Sequence, residues 1–289
     1  MKSHRFYSTP AKIILWVIFV IFSVYAFTLI FPFAWMFVNS FKTNQEFFTN
    51  VWALPQSFSF RNYTSVLGYN MQTSAGTFNI THMFLLSVGI TLAATVINTL
   101  LSTMAAYVIA RYKFKGRNLL YSVALFTLIM PIVGTLPAQF RLMQNLGLYN
   151  SVIGILVLYS GSFGFRFFIM HGYFKNISPT YAEAAFVDGA SDFQVFLRIM
   201  LPMAKPIMIS LAIIYGIGIW NDYITPSIYL KNYPTLAVGI RYLTQTMVST
   251  GAYAEMFATM IISIVPILAI FIAFRNTIME NMVAGGLKG

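Results

Sequence analysis

From Ile13 to Val38 the chain carries no charged side chain, and this run restricts the fold more than any motif. A bilayer's hydrocarbon core takes roughly 20 helical residues to cross. Inside it every backbone N–H and C=O must find its partner within the protein, so only helices and closed barrels can span it. A secretory leader has a shorter apolar core, about 7–15 residues, ending at a small-residue cleavage site. Ile13–Val38 is too long and too bulky for that. It reads as an uncleaved first span, with Pro32 near its far end as a candidate kink.

Comparable apolar runs recur, and the hydropathy pattern predicts an all-α integral membrane protein with six transmembrane helices. The expected spans are residues 13–38, 83–110, 119–139 (with Pro131 and Pro137 inside or at the end), 152–173, 206–230 and 256–274. They make one transmembrane domain, residues 1–289, with a hydrophilic cytoplasmic loop at 174–205. Composition agrees: only 9% of residues are charged and 17% are aromatic, whereas a soluble domain carries about 25% charged residues. The chain cannot coat a water-facing surface, and it has no room for a large soluble domain. Cysteine is absent, which removes disulfides, thiol chemistry and cysteine-based metal sites.

The net charge of +11 does not point to nucleic acid, because the basic residues flank apolar runs, where they set topology. With the N-terminus inside, the cytoplasmic segments hold Lys2, Arg5, Lys12, Arg111, Lys113, Lys115, Arg117, Lys175, Arg198, Lys205, Arg275 and Lys288. The outer segments hold Lys42, Arg61, Arg141, Lys231 and Arg241. Short loops obey the positive-inside rule most strictly, so the Arg111–Arg117 cluster carries the most weight. Both termini and the 174–205 loop are expected in the cytoplasm.

That loop holds the chemistry-bearing pattern. Ser178-Pro179 is a helix start, a capping serine with proline at the first helical position. Asp188-Gly189 is a stop, since glycine takes the left-handed turn that closes a helix. Ser191 or Asp192 can cap a second helix, expected to run to Met200 and stop before Pro202. Phe193, Phe196, Leu197 and Met200 would give it one apolar face. A short helix, a glycine turn and a second short helix, with small residues at Ala182, Ala184 and Ala185, describe a protein-contact element rather than a catalytic one.

Glu183-Ala184-Ala185, then Gly189, Ile199 and Leu201-Pro202 resemble the EAA loop of bacterial ABC importer permeases at every motif position. Gly172-Tyr173-Phe174, Asp188-Gly189-Ala190 and Trp220-Asn221-Asp222-Tyr223 look like the maltose-type carbohydrate subfamily. The six expected spans and the Gly285–Gly289 ending are similar to its MalG-like member. The resemblance implies a type I ABC importer permease fold in the bacterial cytoplasmic (inner) membrane. It implies a subunit forming half of the translocation pathway for a sugar or oligosaccharide, and no enzyme activity of its own. ATP and Mg would be held by a partner ATPase dimer, alongside a second permease subunit and an extracytoplasmic solute-binding protein. Glu183, Ala184, Ala185, Asp188 and Gly189 would then couple to the ATPase, on a coupling helix of about Ser178–Asp188. Lys231–Glu255 would face the binding protein.

Other residues carry two readings each. Glu183 alone could be a solvated helix residue, and Asp188 a simple turn former. Trp220, Asn221, Asp222 and Tyr223 offer hydrogen-bonding groups against aromatic walls, as a sugar site needs. Asp222 can equally cap a span or pair with a neighbouring helix. Arg166 lies inside an apolar run and is a functional candidate on that ground, although its place near the inner end favours snorkelling to the interface. His4, His82 and His171 lack metal-ligand spacing, no phosphate-binding loop is present, and no catalytic set stands out. Asn62-Tyr-Thr64 and Asn79-Ile-Thr81 fit a glycosylation pattern that arises often by chance. The alternatives are an ABC permease for a non-sugar solute, a self-sufficient secondary transporter, which would need buried ion ligands, and a membrane-embedded enzyme, which lacks its catalytic residues.

Overall fold

The computed structural model describes residues 9–129 and 135–286. Lys2, Arg5, Pro131, Leu287, Lys288 and Gly289 lie outside the described residues. The chain is almost wholly helical. Helices α1 (Thr9–Asn39), α2 (Asn44–Thr49) and α3 (Arg61–Leu67) precede a small antiparallel hairpin, β1 (Asn70–Thr73) and β2 (Gly76–Asn79). Then follow α4 (Ile80–Arg111), α5 (Arg117–Ile129), α6 (Thr135–Asn145), α7 (Val152–Tyr159), α8 (Phe165–Asn176), α9 (Thr180–Val187) and α10 (Asp192–Val195). After a π-helical turn at Phe196–Met200 come α11 (Leu201–Asn221), α12 (Ile224–Tyr229), α13 (Leu236–Thr250) and α14 (Tyr253–Gly286).

Among the described residues, four helical stretches are long and apolar enough to cross a membrane: Pro10–Asn39, Ile80–Arg111, Asp192–Asn221 and Tyr253–Asn276. Three of them contain the expected runs 13–38, 83–110 and 256–274. Two of the other expectations, 152–173 and 206–230, need correction. Residues 152–173 do not form one helix, because α7 and α8 are separated at Ser160–Gly164. The run 119–139 covers α5 and the beginning of α6, which continues to Asn145, and its residues 130–134 lie outside the described residues. The expected fifth span, 206–230, stops being one helix at Asn221 and resumes as α12.

Pro202 does not end the second loop helix. Helical geometry continues from Asp192 to Asn221 through the π-turn, whose closing bond runs from the Leu201 N–H to the Phe196 carbonyl. A proline ring collides with the carbonyl four residues back in a regular α-turn, and a π-turn just before it displaces that carbonyl. The helix therefore bulges where local propensity predicts a stop.

The chain divides into two compact units: residues up to Gly68 with Tyr242–Ile264, and Tyr69–Arg241 with the remainder from Val265. In the first, the apolar stretch of α1 has no buried residue and is apolar around its circumference, as a helix bathed in lipid is. Beyond it an aromatic cluster forms: Trp35 meets Phe47 and Phe257 edge-on, and Phe47 stacks on Tyr253. Asn44 reinforces it, donating to Glu255 at 2.8 Å and accepting from the Ala254 N–H at 2.9 Å. Lys42 is 1% exposed and donates to the carbonyls of Asn50 and Val51. Burial pulls its pKa below the ordinary ammonium value, and Glu46 opposes that shift.

In the second unit α4 is the central helix, packed against α8 and α11, which also meet each other. Its buried positions include Ser87, Ala94, Asn98, Ser102 and Ala106, a stripe of mostly small side chains. Lipid tails are as apolar as leucine, so helix association in a membrane relies on close backbone approach and interhelical hydrogen bonds. That stripe supplies both.

Candidate functional site

The 174–205 loop folds as an elbow. Thr180 N donates to Ser178 Oγ at 3.3 Å, and the Ala182 and Glu183 N–H groups bond the Pro179 carbonyl. The helix so started is α9, one or two residues shorter than expected at its beginning. It ends with the Ala190 N–H on the Ala185 carbonyl and the Gly189 N–H on the Phe186 carbonyl. Gly189 has φ +83°, and a Cβ there would meet nothing within 4 Å. The position therefore demands glycine for its backbone and not for space. Ser191 then caps α10 in a reciprocal box: its Oγ accepts from Gln194 N, and Gln194 Oε1 accepts from Ser191 N.

The two faces of the elbow differ. Inward, Ala185, Val195, Phe196 and Met200 join Tyr107, Phe167, Met170 and Phe174 in one core cluster. Tyr107 lies 5.3 Å from Phe174 and 5.0 Å from Phe196, ring to ring. The anticipated apolar face of the second helix is shifted, because Val195 is buried while Phe193 and Leu197 are exposed. Outward, Glu183, Ala184, Asp188 and Gly189 are exposed, as are Tyr181 (53%) and Val187 (88%). Val187, Tyr181 and Phe193 (63%) put apolar area where charged residues would be cheaper.

Two residues missed as contributors brace the elbow from the end of α4. Arg111 donates to the carbonyls of Ile177 (3.0 Å) and Ser178 (3.3 Å), and Tyr112 Oη donates to Asp192 at 2.8 Å. Both entrances of the elbow thus hang from one helix end. Burial, then the hydrogen bonds to Tyr107 and Asp192, raises the Tyr112 pKa well above the ordinary phenol value, so the donor stays protonated. No local pattern announces this brace, since its partners lie 66 to 80 positions away.

A second constellation surrounds the break between α7 and α8. Gly164 has φ 133° and ψ −166°, a region open essentially to glycine alone. Three carbonyls at the break, those of Tyr159, Gly161 and Ser162, are taken by neighbouring helices. Asn98 Nδ2 donates to Tyr159 (2.9 Å) and Gly161 (2.7 Å), Ser102 Oγ to Ser162 (2.9 Å), and Tyr215 Oη to Tyr159 (2.6 Å). Arg166 does not snorkel as expected: its Nε donates to Asn98 Oδ1 at 2.8 Å, and its guanidinium lies 3.6 Å from the Tyr215 ring centroid.

The four aromatic and polar residues expected to line a solute path are placed apart in role. Trp220 meets Phe84 edge-on at 5.6 Å, Asn221 donates to the Ile217 carbonyl, and Tyr223 sits under Arg241 at 4.2 Å. Asp222 takes the capping alternative: it accepts from Thr225 N at 3.0 Å, starting α12, and from Tyr159 Oη at 3.0 Å. Of the four only Asn221 is exposed.

Comparison with known proteins adds three findings. Residues 98–279 match the family model described as binding-protein-dependent transport system inner membrane component. The chain is 32% identical over 281 residues to the diacetylchitobiose uptake system permease protein NgcG of Streptomyces coelicolor, covering 96% of this chain and 87% of that one. It is 29% identical to the maltose/maltodextrin transport system permease protein MalG of Vibrio parahaemolyticus, covering 90% and 91%. Its fold is similar, with a TM-score of 0.75 and 25% identity, to a chain in the crystal structure of a bacterial ABC transporter involved in the import of the acidic polysaccharide alginate. That match covers 94% of this chain and 98% of the other.

Proposed function

This chain belongs to the family of binding-protein-dependent transport system inner membrane components, a transport component and not an enzyme, and on that premise we propose that it is one permease subunit of an ABC importer for a sugar or oligosaccharide. The substrate class is supported by relatives named for diacetylchitobiose, maltodextrin and arabinooligosaccharide transport. A second permease subunit, an ATPase pair carrying ATP and Mg, and an extracytoplasmic binding protein complete the machine. The reading extends to six spans with both termini inside: α1, α4, α5 with α6, α7 with α8, α11 with α12, and α14. Neither α7 nor α8 reaches the roughly 20 residues a crossing needs, but together they do, as a broken helix braced by its neighbours.

The observation that carries this reading is the two-faced elbow. Ala185, Val195 and Phe196 lock it to the helical core, while Glu183, Ala184, Val187, Asp188 and Gly189 stand free on the other side. A rigid lever whose outer face lacks a partner among the described residues fits a separate motor. Nucleotide-driven closure of the ATPases would push α9, and Arg111 and Tyr112 would pass the motion to α4. That is a rigid-body switch between two packings. Residues 231–255 are the surface offered to the binding protein, and Trp220–Tyr223 border the solute path.

Reconstitution tests it. Vesicles holding this chain, its permease partner and the ATPases should accumulate saccharide only with binding protein and ATP present. Vesicles holding this chain alone should carry nothing. Solute uptake by the lone chain would overturn the proposal.

A further inference from the structure

We propose that Arg166 is a solute contact whose terminal guanidinium nitrogens give the pathway a preference for saccharides bearing a carboxylate. This rests on the proposed function and deepens it.

The geometry around Arg166 leaves one part of the side chain unused. Nε is committed to Asn98 Oδ1 at 2.8 Å, and one π-face is covered by Tyr215 at 3.6 Å. Asn98 cannot swing away, since its Nδ2 is tied to the Tyr159 and Gly161 carbonyls. Tyr215 is fixed by its own bond to the Tyr159 carbonyl. These contacts hold the plane of the guanidinium and consume a single N–H. Among the described residues the two Nη atoms make no hydrogen bond, and no carboxylate forms an ion pair with Arg166. The Asp222 carboxylate, reached from this network through Tyr159, already accepts from Tyr159 Oη and Thr225 N.

A fixed cation with no counter-charge among the described residues, within a run proposed to cross the membrane, is costly unless it borders water or a ligand. Arg166 is only half-buried. At the break before it, the Tyr159, Gly161 and Ser162 carbonyls each accept from a protein donor. What remains is a planar pair of donors matched to two oxygens. Hydroxyl pairs of a neutral sugar can accept from it. A carboxylate does so bidentately through charge-assisted bonds about twice as strong.

The test uses the complete reconstituted importer and two probes with one skeleton: a uronate-terminated oligosaccharide and its carboxyl-reduced neutral form. The wild-type complex should take up the acidic probe in preference. Arg166→Gln should lower the acidic-to-neutral uptake ratio about 10- to 100-fold, as expected for losing a hydrogen bond to a charged group. Arg166→Lys, a point charge without the fork, should leave a ratio between those of the wild type and Arg166→Gln. Co-elution of all subunits reports assembly. A wild-type complex without acidic preference overturns the inference, as does an unchanged ratio in Arg166→Gln, including one in which both probes fall together. If the wild-type complex moves neither probe nor any other saccharide, the proposed substrate class fails instead.

Discussion

Gly189 separates a backbone requirement from a packing requirement. Its φ of +83° and the empty space around its missing Cβ mean that a side chain there is strained, not clashed. A left-handed residue costs about 1–2 kcal/mol for most side chains, while asparagine tolerates the region. Gly189→Asn should therefore keep uptake and ATPase co-purification near wild type, whereas Gly189→Val should weaken both. Gly189→Pro should abolish them with membrane insertion intact. Glu183→Arg tests the exposed face independently, leaving the turn alone and reversing the charge offered to the motor. It should release the ATPase in a pull-down from membranes. Normal transport by both Gly189→Pro and Glu183→Arg would remove the lever from the mechanism. Glu46 makes a pH-dependent prediction. Its carboxylate accepts from the Thr43 N–H at 2.7 Å, and this bond, with a further one from Gln56, holds its pKa below the ordinary carboxylate value. The native state thus binds the proton more weakly than the unfolded chain. The cap's contribution is complete above the unfolded pKa and fades as pH falls through the native one. Glu46→Gln should lower the melting temperature in detergent at about pH 7, and the difference from wild type should shrink as the pH falls through the native pKa.

At the scale of elements, legibility depended on how local the deciding interactions are. The elbow was readable because its starts and stops are made within a few residues: Ser178, Gly189 and the Ser191–Gln194 box each act on their own neighbours. The first, second and last spans were readable because an apolar run of that length has no other fate. The fourth was misread as continuous because what permits its break comes from Asn98, Ser102 and Tyr215, about sixty positions away. The Ser160-Gly-Ser-Phe-Gly164 sequence was the available signal. Arg166 was misread for the same reason, since a partner on another helix outcompetes the interface. Pro202 failed in the opposite direction, a strong local breaker absorbed by the π-turn before it. If the break is built as described, Asn98→Leu leaves the Gly161 carbonyl without its donor and costs about 1–3 kcal/mol. Gly164→Ala adds backbone strain of about the same size. Both should lower the thermal stability of the purified complex, and Asn98→Asp, which also loses the donor, should not restore it.

For the whole molecule, the charge pattern and the elbow must agree on which side of the membrane the lever lies. The basic cluster Arg111–Arg117 and the Arg111 and Tyr112 contacts to Ile177, Ser178 and Asp192 belong to one connected region. Positive-inside orientation of that cluster therefore carries α9 with it, and the two cannot sort to opposite faces. The absence of cysteine makes this directly measurable, because one introduced thiol is the only one in the chain. Val187→Cys, at the most exposed point of α9, should resist a membrane-impermeant maleimide added outside sealed right-side-out vesicles and react fully in inverted ones. Adding the ATPase subunits to inverted vesicles should then slow the reaction at least about tenfold if α9 sits in a protein cleft, since accessible surface is what the reagent samples and a stable interface excludes water from its centre. A thiol at Ser57, in the segment between α2 and α3, should label from the outside and stay indifferent to the ATPase. Labelling of Val187→Cys from the outside would place the lever where no ATP-driven motor can reach it. Inside labelling that the ATPase never slows would leave the elbow cytoplasmic but idle, and the energy source would have to enter through another surface of the chain.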